Sequence, residues 1–498
     1  MQKRGCQKAL CGGLGGLALL VGAAGLSAQA DLRLIDAVQE RNAAEVRALL
    51  DRRVNVNTRR ADGATALHWA AYWDDLELVT RLIASGARVN VANELGVTPL
   101  GLACANGSER VVERLLAAGA DPKPSTGVPP IMNAARVGNA AVVKALIDRG
   151  ADVNAQESSQ GQTALMWAVA QKHVGVVGLL VKGGADLHAR SKVTSLRVNR
   201  GGPIGSSERP TPDNVSKGGS TALLFAARSG DIESARVLIS AGANVNDTAP
   251  DGTSVLLMAA HSGHARLAEE LLRHGADPNR AEAGYAPLHA AVLMGEEALV
   301  TALLTHGGDV NARLTKGNPV RRTGEDLVLP NSLIGATPYF LAARFGEVGM
   351  MQQFVDAGAD VTLALADGTT PLMTAAGVGW ALPTNRHGVD TTSKKSAWLG
   401  QDAEEAITLA AVNAALRFGG DVNAVNQAGE TALFGAVPKG FGEVIQLLVN
   451  HGAKLDVKNK RNQSLLSLTR VRLVATAATP PDVLIRTSAL LRSLGAPE

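Results

Sequence analysis

Residues 62–71 read Asp62-Gly63-Ala64-Thr65-Ala66-Leu67-His68-Trp69-Ala70-Ala71, and about twenty residues later the phrase closes with Gly86-Ala87-Arg88-Val89-Asn90. It returns every 33 residues or so, fixed on a glycine: Gly63, Gly96, Gly127, Gly161, Gly219, Gly252, Gly284, Gly335, Gly368 and Gly429. A segment this short cannot enclose a core of its own and must stack on copies of itself. Thr65 stands where a helix N-cap belongs, its hydroxyl placed to accept from a free backbone N–H. In Thr98-Pro99, Thr337-Pro338 and Thr370-Pro371 the next residue is proline, which suits a first helical turn. The paired alanines keep one side of this first helix thin, so that neighbours approach closely. A second helix carries Leu76, Val79, Leu82 and Ile83 on one apolar stripe and stops at Gly86, since glycine adopts the left-handed C′ conformation easily.

The same ending recurs as Gly150-Ala151-Asp152-Val153-Asn154, Gly242-Ala243-Asn244-Val245-Asn246, Gly275-Ala276-Asp277-Pro278-Asn279 and Gly419-Gly420-Asp421-Val422-Asn423. Asp, Asn and Gly at this density favour a turn that carries the chain out and back. These residues closely resemble the ankyrin repeat family, whose phrase is Asp-Gly-x-Thr-Pro-Leu-His-x-Ala-Ala followed by Gly-Ala-Asp-Val-Asn. The resemblance covers nearly all of the chain after residue 30. It implies an all-α repeat solenoid of about ten repeats, each an inner and an outer helix, with short β-turn fingers between them. It also implies a structural hydrogen bond within the first helix for His68 and His289. Pro129-Pro130 in the third repeat and Ala286 in the seventh depart from the phrase, so those repeats are expected to be locally weaker.

Residues 31–58 form a half-phrase with Arg33, Gln39 and Arg41 where a further repeat would pack, as an N-terminal cap requires; residues 463–498 form the matching C-terminal cap. Between them lie repeats 1–4 (59–191), 5–7 (218–312) and 8–10 (334–462). Three glycine-to-glycine steps are long and hold insertions: 192–217 and 313–333 in fingers, and 380–402 between the two helices of the ninth repeat. Proline and glycine from Gly201 to Pro212 predict irregular chain in the first. Each insertion has more Lys and Arg than Asp and Glu, so positive charge is sorted onto the loops.

Residues 1–30 read as a signal peptide: Lys3, Arg4 and Lys8, an apolar stretch from Ala9 to Leu26, and the small-x-small site Ala28-Gln29-Ala30. Cleavage after Ala30 predicts a periplasmic or secreted protein, with no membrane-spanning segment in the mature chain. Cys6 and Cys11 leave with the leader, so Cys104 has no intrachain disulfide partner and no cysteine metal site remains. The whole chain holds 49 Lys and Arg against 46 Asp and Glu, and the three leader bases are the entire excess. A neutral mature chain argues against nucleic acid or an anionic membrane as partner.

No phosphate loop, zinc-protease helix or serine elbow occurs, and neither a catalytic set, a metal nor a cofactor is expected. Eight of the ten histidines fall at framework positions, leaving His261 and His387. In ankyrin proteins the two positions after the paired alanines face the groove; here they hold Tyr72 and Trp73, Arg136, Arg228, His261, Leu293 and Met294, and Arg344 with Phe345. Arginine and large aromatics dominate interface energetics, and Arg136, Arg228 and Arg344 share one register. Trp69, Trp167 and Phe225 fall one position after the His register and read as core. In the third insertion Trp380 and Trp398 flank Arg386 and His387, a further candidate contact. The expectation is an exported, monomeric protein-interaction scaffold whose basic loops suit an acidic partner. Small-ligand binding or catalysis under a lid of residues 380–402, and delivery into a host cell, stand as alternatives.

Overall fold

The computed structural model describes residues 31–123, 126–200, 211–317, 329, 331–379, 401–470 and 481–497. Residues 1–30, most of the second insertion, and Trp380, Arg386, His387 and Trp398 of the third lie outside the described residues. The chain divides into two compact blocks, the residues up to Lys192 with Gly218–Asn244, and Val193–Lys217 with Val245–Glu498.

In the first block the helices come in pairs: α1 (Arg33–Gln39) and α2 (Ala43–Asp51), α3 (Ala66–Tyr72) and α4 (Leu76–Ala84), α5 (Pro99–Asn106) and α6 (Glu109–Ala117), α7 (Pro130–Val137) and α8 (Ala140–Asp148), α9 (Ala164–Ala170) and α10 (Val174–Lys182). After the first insertion come α11 (Ala222–Ser229) and α12 (Ile232–Ser240). First helices stack in one row from α1 to α11, and second helices in a parallel row from α4 to α12. The alanine pairs explain the close spacing: Ala70, Ala71, Ala134, Ala135, Ala226 and Ala227 are wholly buried between first helices. Cys104 occupies the same position in α5 and is likewise enclosed.

Side chains tie each repeat to the next. Asn57 donates from Nδ2 to the Gly86 carbonyl (2.9 Å) and accepts at Oδ1 from the Arg88 N–H (2.7 Å). Asn90 repeats both bonds to Gly119 and Asp121, and Asn154 repeats them to Gly184 and Asp186. His188 takes the asparagine position before the first insertion, and among the described residues it makes no such pair. A second tie is histidine: His68 Nδ1 accepts from the Thr65 N–H (3.1 Å), and its Nε2 lies 3.0 Å from the Val97 carbonyl of the following repeat. The expected bond within the helix is therefore accompanied by one across the repeat boundary. All ten anchoring glycines have positive φ. At the fingers space is tight as well, since a Cβ on Gly127 would stand 2.3 Å from the Gly96 carbonyl oxygen.

The cap departs from expectation. Gln39 receives a hydrogen bond from Arg60, and Arg41 lies over Trp73 of the first full repeat, so both serve the contact with that repeat and not an outer polar face. Their position at the C-terminal end of α1 directs them toward the neighbouring turn.

In the second block the two ends of the first insertion pair, β1 (Thr194–Arg200) antiparallel with β2 (Thr211–Lys217), Thr194 opposite Lys217 and Arg200 opposite Thr211, while residues 201–210 of the stretch expected to be irregular lie outside the described residues. Thr194, Val198, Thr211 and Val215 supply β-branched residues that favour extended pairing, and all but one of the disruptive glycines and prolines fall between the strands. The helical pairs continue as α13 (Val255–His261) and α14 (Ala265–Arg273), α15 (Pro287–Met294) and α16 (Glu297–Thr305), and α17 (Pro338–Phe345) and α18 (Val348–Asp356). The ninth repeat differs in proportion, with α19 (Pro371–Ala375) only five residues long and α20 (Gln401–Arg417) seventeen. There follow α21 (Ala432–Lys439), α22 (Gly442–Asn450), α23 (Leu465–Leu468) and α24 (Pro481–Ser493). The asparagine ties recur from Asn246 to Gly275 and Asp277, from Asn279 to Gly307 and Asp309, and from Asn423 to Gly452 and Lys454. His289 repeats the histidine tie, its Nε2 lying 3.1 Å from the Ala336 carbonyl across the second insertion. Among the described residues no helix is long and apolar enough to cross a membrane.

Two predictions follow from these ties. Asn154→Ala removes both bonds of one rung and is expected to destabilise the first block by about 1–2 kcal/mol, read as a lowered urea midpoint. Burial lowers the pKa of His68 and of His289 to about 4, below the ordinary 6.5 of an unfolded chain. Their contribution is complete above pH 6.5 and is lost as the pH falls toward 4, because the unfolded chain takes up protons that the folded one refuses. Between pH 6.5 and 5 each should cost about 2 kcal/mol. Urea titrations across that range should show the slope, and His68→Gln should make it shallower.

Candidate functional site

The C-terminal ends of the first helices collect the large side chains that the alanine pairs exclude from the core. On α3 the rings of Trp69, Tyr72 and Trp73 form one cluster, with Trp69 edge-on to Tyr72 at 5.9 Å and Tyr72 edge-on to Trp73 at 4.8 Å. The Arg41 guanidinium lies 4.0 Å above the Trp73 ring, within the range where a cation is drawn to the ring face. The indole N–H groups of Trp69 and Trp73 are both enclosed and find no acceptor. A buried donor left unmade is costly, so this cluster is rich in contact area and short of an oxygen.

Beside Trp73 a cleft of about 420 Å³ opens between the cap and the first full repeat. Val38, Val46, Leu76 and Trp73 supply apolar wall, and Arg41, Arg47, Asp75, Glu77 and Arg81 line its charged side. Asp75 caps α4 by accepting from the Leu78 N–H, and Arg47 reaches Glu77 at 3.7 Å. The backbone here is unusual. Between first and second helices most repeats place a left-handed glycine, as at Gly107, Gly138, Gly230, Gly263 and Gly295, but the cap and the first repeat place Arg41 and Asp74 there, both with φ of 57°, as the fourth repeat does Lys172 with φ of 61°. Left-handed backbone at a residue with a Cβ costs of order 1 kcal/mol and concentrates at sites under functional constraint.

Further along the first block, exposed Arg136 lies 5.9 Å over Trp167 of the next repeat, and exposed Arg228 lies 5.8 Å over Phe225 of its own helix. Asn106 of α5 donates to the Tyr72 carbonyl at 2.7 Å, fixing the cluster against the second repeat. Among the described residues no group of three or more His, Cys, Asp or Glu side chains is placed to hold a metal ion. Cys104 is sealed in apolar surroundings that push its thiol pKa up, which removes its nucleophilicity.

A family profile described as Ankyrin repeats (3 copies) matches residues 34–126, 100–191 and 223–313, together half of the chain. The chain belongs to the ankyrin-repeat family. Over 195 residues this ankyrin-repeat chain is 31% identical to the nuclear factor NF-kappa-B p105 subunit of Gallus gallus, covering 38% of this chain and 17% of that protein. Over 139 residues it is 36% identical to neurogenic locus notch homolog protein 1 of Xenopus laevis, covering 27% of this chain and 6% of that one. The matched stretches thus span less than a fifth of these relatives' length. Of solved structures, the human ASB11 ankyrin repeat domain aligns with a TM-score of 0.40 and 24% identity, over 49% of this chain and 98% of that one.

The candidate groove residues of this ankyrin-repeat protein divide in three ways. Tyr72 and Trp73 are half-buried in one cluster, and Arg136 and Arg228 are exposed. His261 is half-buried against Tyr285, rings edge-on at 5.8 Å. Arg344, Phe345 and Leu293 are corrections: all three are buried, at 8%, 5% and 0% exposure, so the register that exposes Arg136 does not expose Arg344. The short α19 and the turn through Gly379 fold over Arg344, whose Nη2 faces the Gly379 carbonyl at 3.4 Å. Trp167 and Phe225, read as core, are only half-buried, and Trp167 turns its N–H to Gln162 (2.7 Å); Trp69 is core as expected. Sequence reasoning missed Arg41 and Asp74, although a signal existed: they interrupt the glycine register that most other repeats keep.

Restoring that register gives a test of the strain. Asp74→Gly should raise the stability of the first block by about 1 kcal/mol in urea denaturation; an unchanged or lowered midpoint would mean that the Asp74 side chain offsets its backbone.

Proposed function

We propose that this protein is an exported interaction scaffold that docks a partner protein on the first block, through Tyr72 and Trp73 with Arg41 and the arginines that follow at 136 and 228. Ankyrin repeats are generally protein–protein interaction modules, and these residues are of the types that anchor interfaces. The observation that carries the reading is the half-buried Tyr72 and Trp73 under the Arg41 guanidinium, beside a cleft whose walls are part apolar and part charged. A partner segment that brings an apolar side chain flanked by charged groups would match the lining of that cleft. Arg136 and Arg228, each held over an aromatic ring, favour an acidic stretch in that partner. Export rests on the leader pattern of residues 1–30 and places the mature N-terminus at Asp31.

Affinity capture from the exported fraction tests both halves. The purified protein should begin at Asp31 by N-terminal sequencing. Truncating a central aromatic anchor costs about 2 kcal/mol or more, so Tyr72→Ala with Trp73→Ala should weaken partner capture about thirtyfold. Arg136→Glu with Arg228→Glu should weaken it further as salt is lowered. Capture unaffected by both pairs of substitutions would refute the assignment of this surface.

A further inference from the structure

The second block holds a corner of a different kind, where the ends of α17, α19 and α21 meet the start of α20. Arg344, next to last in α17, is 8% exposed. Its Nη1 faces Thr374 Oγ1 at 3.3 Å and its Nη2 the Gly379 carbonyl at 3.4 Å, both beyond the 2.7–3.2 Å of a normal N–H···O bond. No carboxylate stands within ion-pairing distance of it among the described residues. Burying a guanidinium without a counter-charge is among the more expensive things a fold can do.

Lys439, the last residue of α21, stands on the other side of the same turn: a Cβ added at Gly377 would come within 2.9 Å of Lys439 Cε. Glu404 of α20 attracts the Lys439 ammonium, and Arg344 repels it. Burial lowers the pKa of Arg344 to about 10 and, with that repulsion added, holds Lys439 at about 8 against the pull of Glu404; burial also raises the Glu404 carboxyl. The first turns of α20 close the corner. Gln401 Nε2 faces the Lys439 and Gly440 carbonyls at the same long distances, 3.3 and 3.4 Å, and Glu405 accepts from the Glu443 N–H at 2.6 Å.

We propose that Arg344, with Lys439 beside it, forms a binding site for a single compact oxyanion, a carboxylate or a phosphate group. The guanidinium offers a planar fork of donors that matches two oxygens of such an anion, and the neighbouring ammonium adds positive potential to the corner. This assignment does not rest on the partner surface of the first block. The competing explanation is structural, since cations at helix C-termini are attracted to the free carbonyls there and Arg344 would then only tie α17 to the end of α19.

The two differ in their response to anions. Amine labelling of Lys439 in the wild-type full chain at pH 7, followed by mass spectrometry, needs no variant. Inorganic phosphate or acetate, at ionic strength matched with sodium chloride, should slow it about tenfold, because a bound anion raises the lysine pKa by a unit or so. Arg344→Met keeps the aliphatic stem and removes the charge. It should melt no lower than wild type in chloride, and it should lose a phosphate-induced rise of about 3 °C that the wild type shows at saturation. Slower labelling by phosphate alone or by acetate alone identifies which oxyanion the site takes. No slowing by either ion, or an equal rise in melting temperature for wild type and Arg344→Met, would overturn the proposal. So would a variant that melts lower in chloride with no anion dependence in either protein.

Discussion

At six repeat boundaries one asparagine both gives and receives a backbone hydrogen bond across the junction: Asn57, Asn90 and Asn154 in the first block and Asn246, Asn279 and Asn423 in the second. That reciprocal bond converts a short helical pair, which has too little interior to fold alone, into one member of a series. It spaces the fingers at one rise per repeat, and the alanine pairs then set how closely the first helices pack. Histidines at 68 and 289 add a second tie on the other side of the finger, and they do so only when neutral. Stability in such an array is close to a sum of nearest-neighbour terms. A change at one rung is therefore felt locally, and the position held by His188 is a place where that sum lacks a term.

The repeat itself was legible because its signals are local. A threonine cap, a thin helix, an apolar stripe and a left-handed glycine each express backbone physics that acts within a few residues. What escaped were departures from the average repeat. Arg344 sits in the same register as Arg136, yet one is enclosed and the other exposed. The difference arises because α19 ends early and the chain through Gly377 and Gly379 turns back over α17. Nothing within ten residues of Arg344 encodes that, since the cause lies one repeat later. The hairpin of the first insertion was obscured for a related reason. Its glycines and prolines draw the eye, but all except Pro212 fall between the strands in sequence, and Thr194, Val198, Thr211 and Val215 in the paired segments are ordinary β-formers.

The two blocks spend their arginines differently. In the first, guanidinium groups lie over aromatic faces at the ends of the first helices, keeping their charge available while their stems cover apolar surface. In the second, Arg344 is taken out of solvent with only neutral oxygens near it. The same residue type after the same Ala-Ala pair thus serves an open surface in one place and a closed corner in the other. Residue type and register alone do not define a repeat-protein binding surface; the length of the neighbouring helix decides it.

Cys104 shows what close packing implies for the chemistry of a thiol. Its sulfur lies where other repeats carry an alanine methyl, fully enclosed, and it is the sole thiol after residue 30. No reagent or second molecule can meet it while α5 is seated. Its rate of alkylation consequently reads out how often the second repeat comes loose, making this thiol a native reporter of breathing at one defined point along the stack.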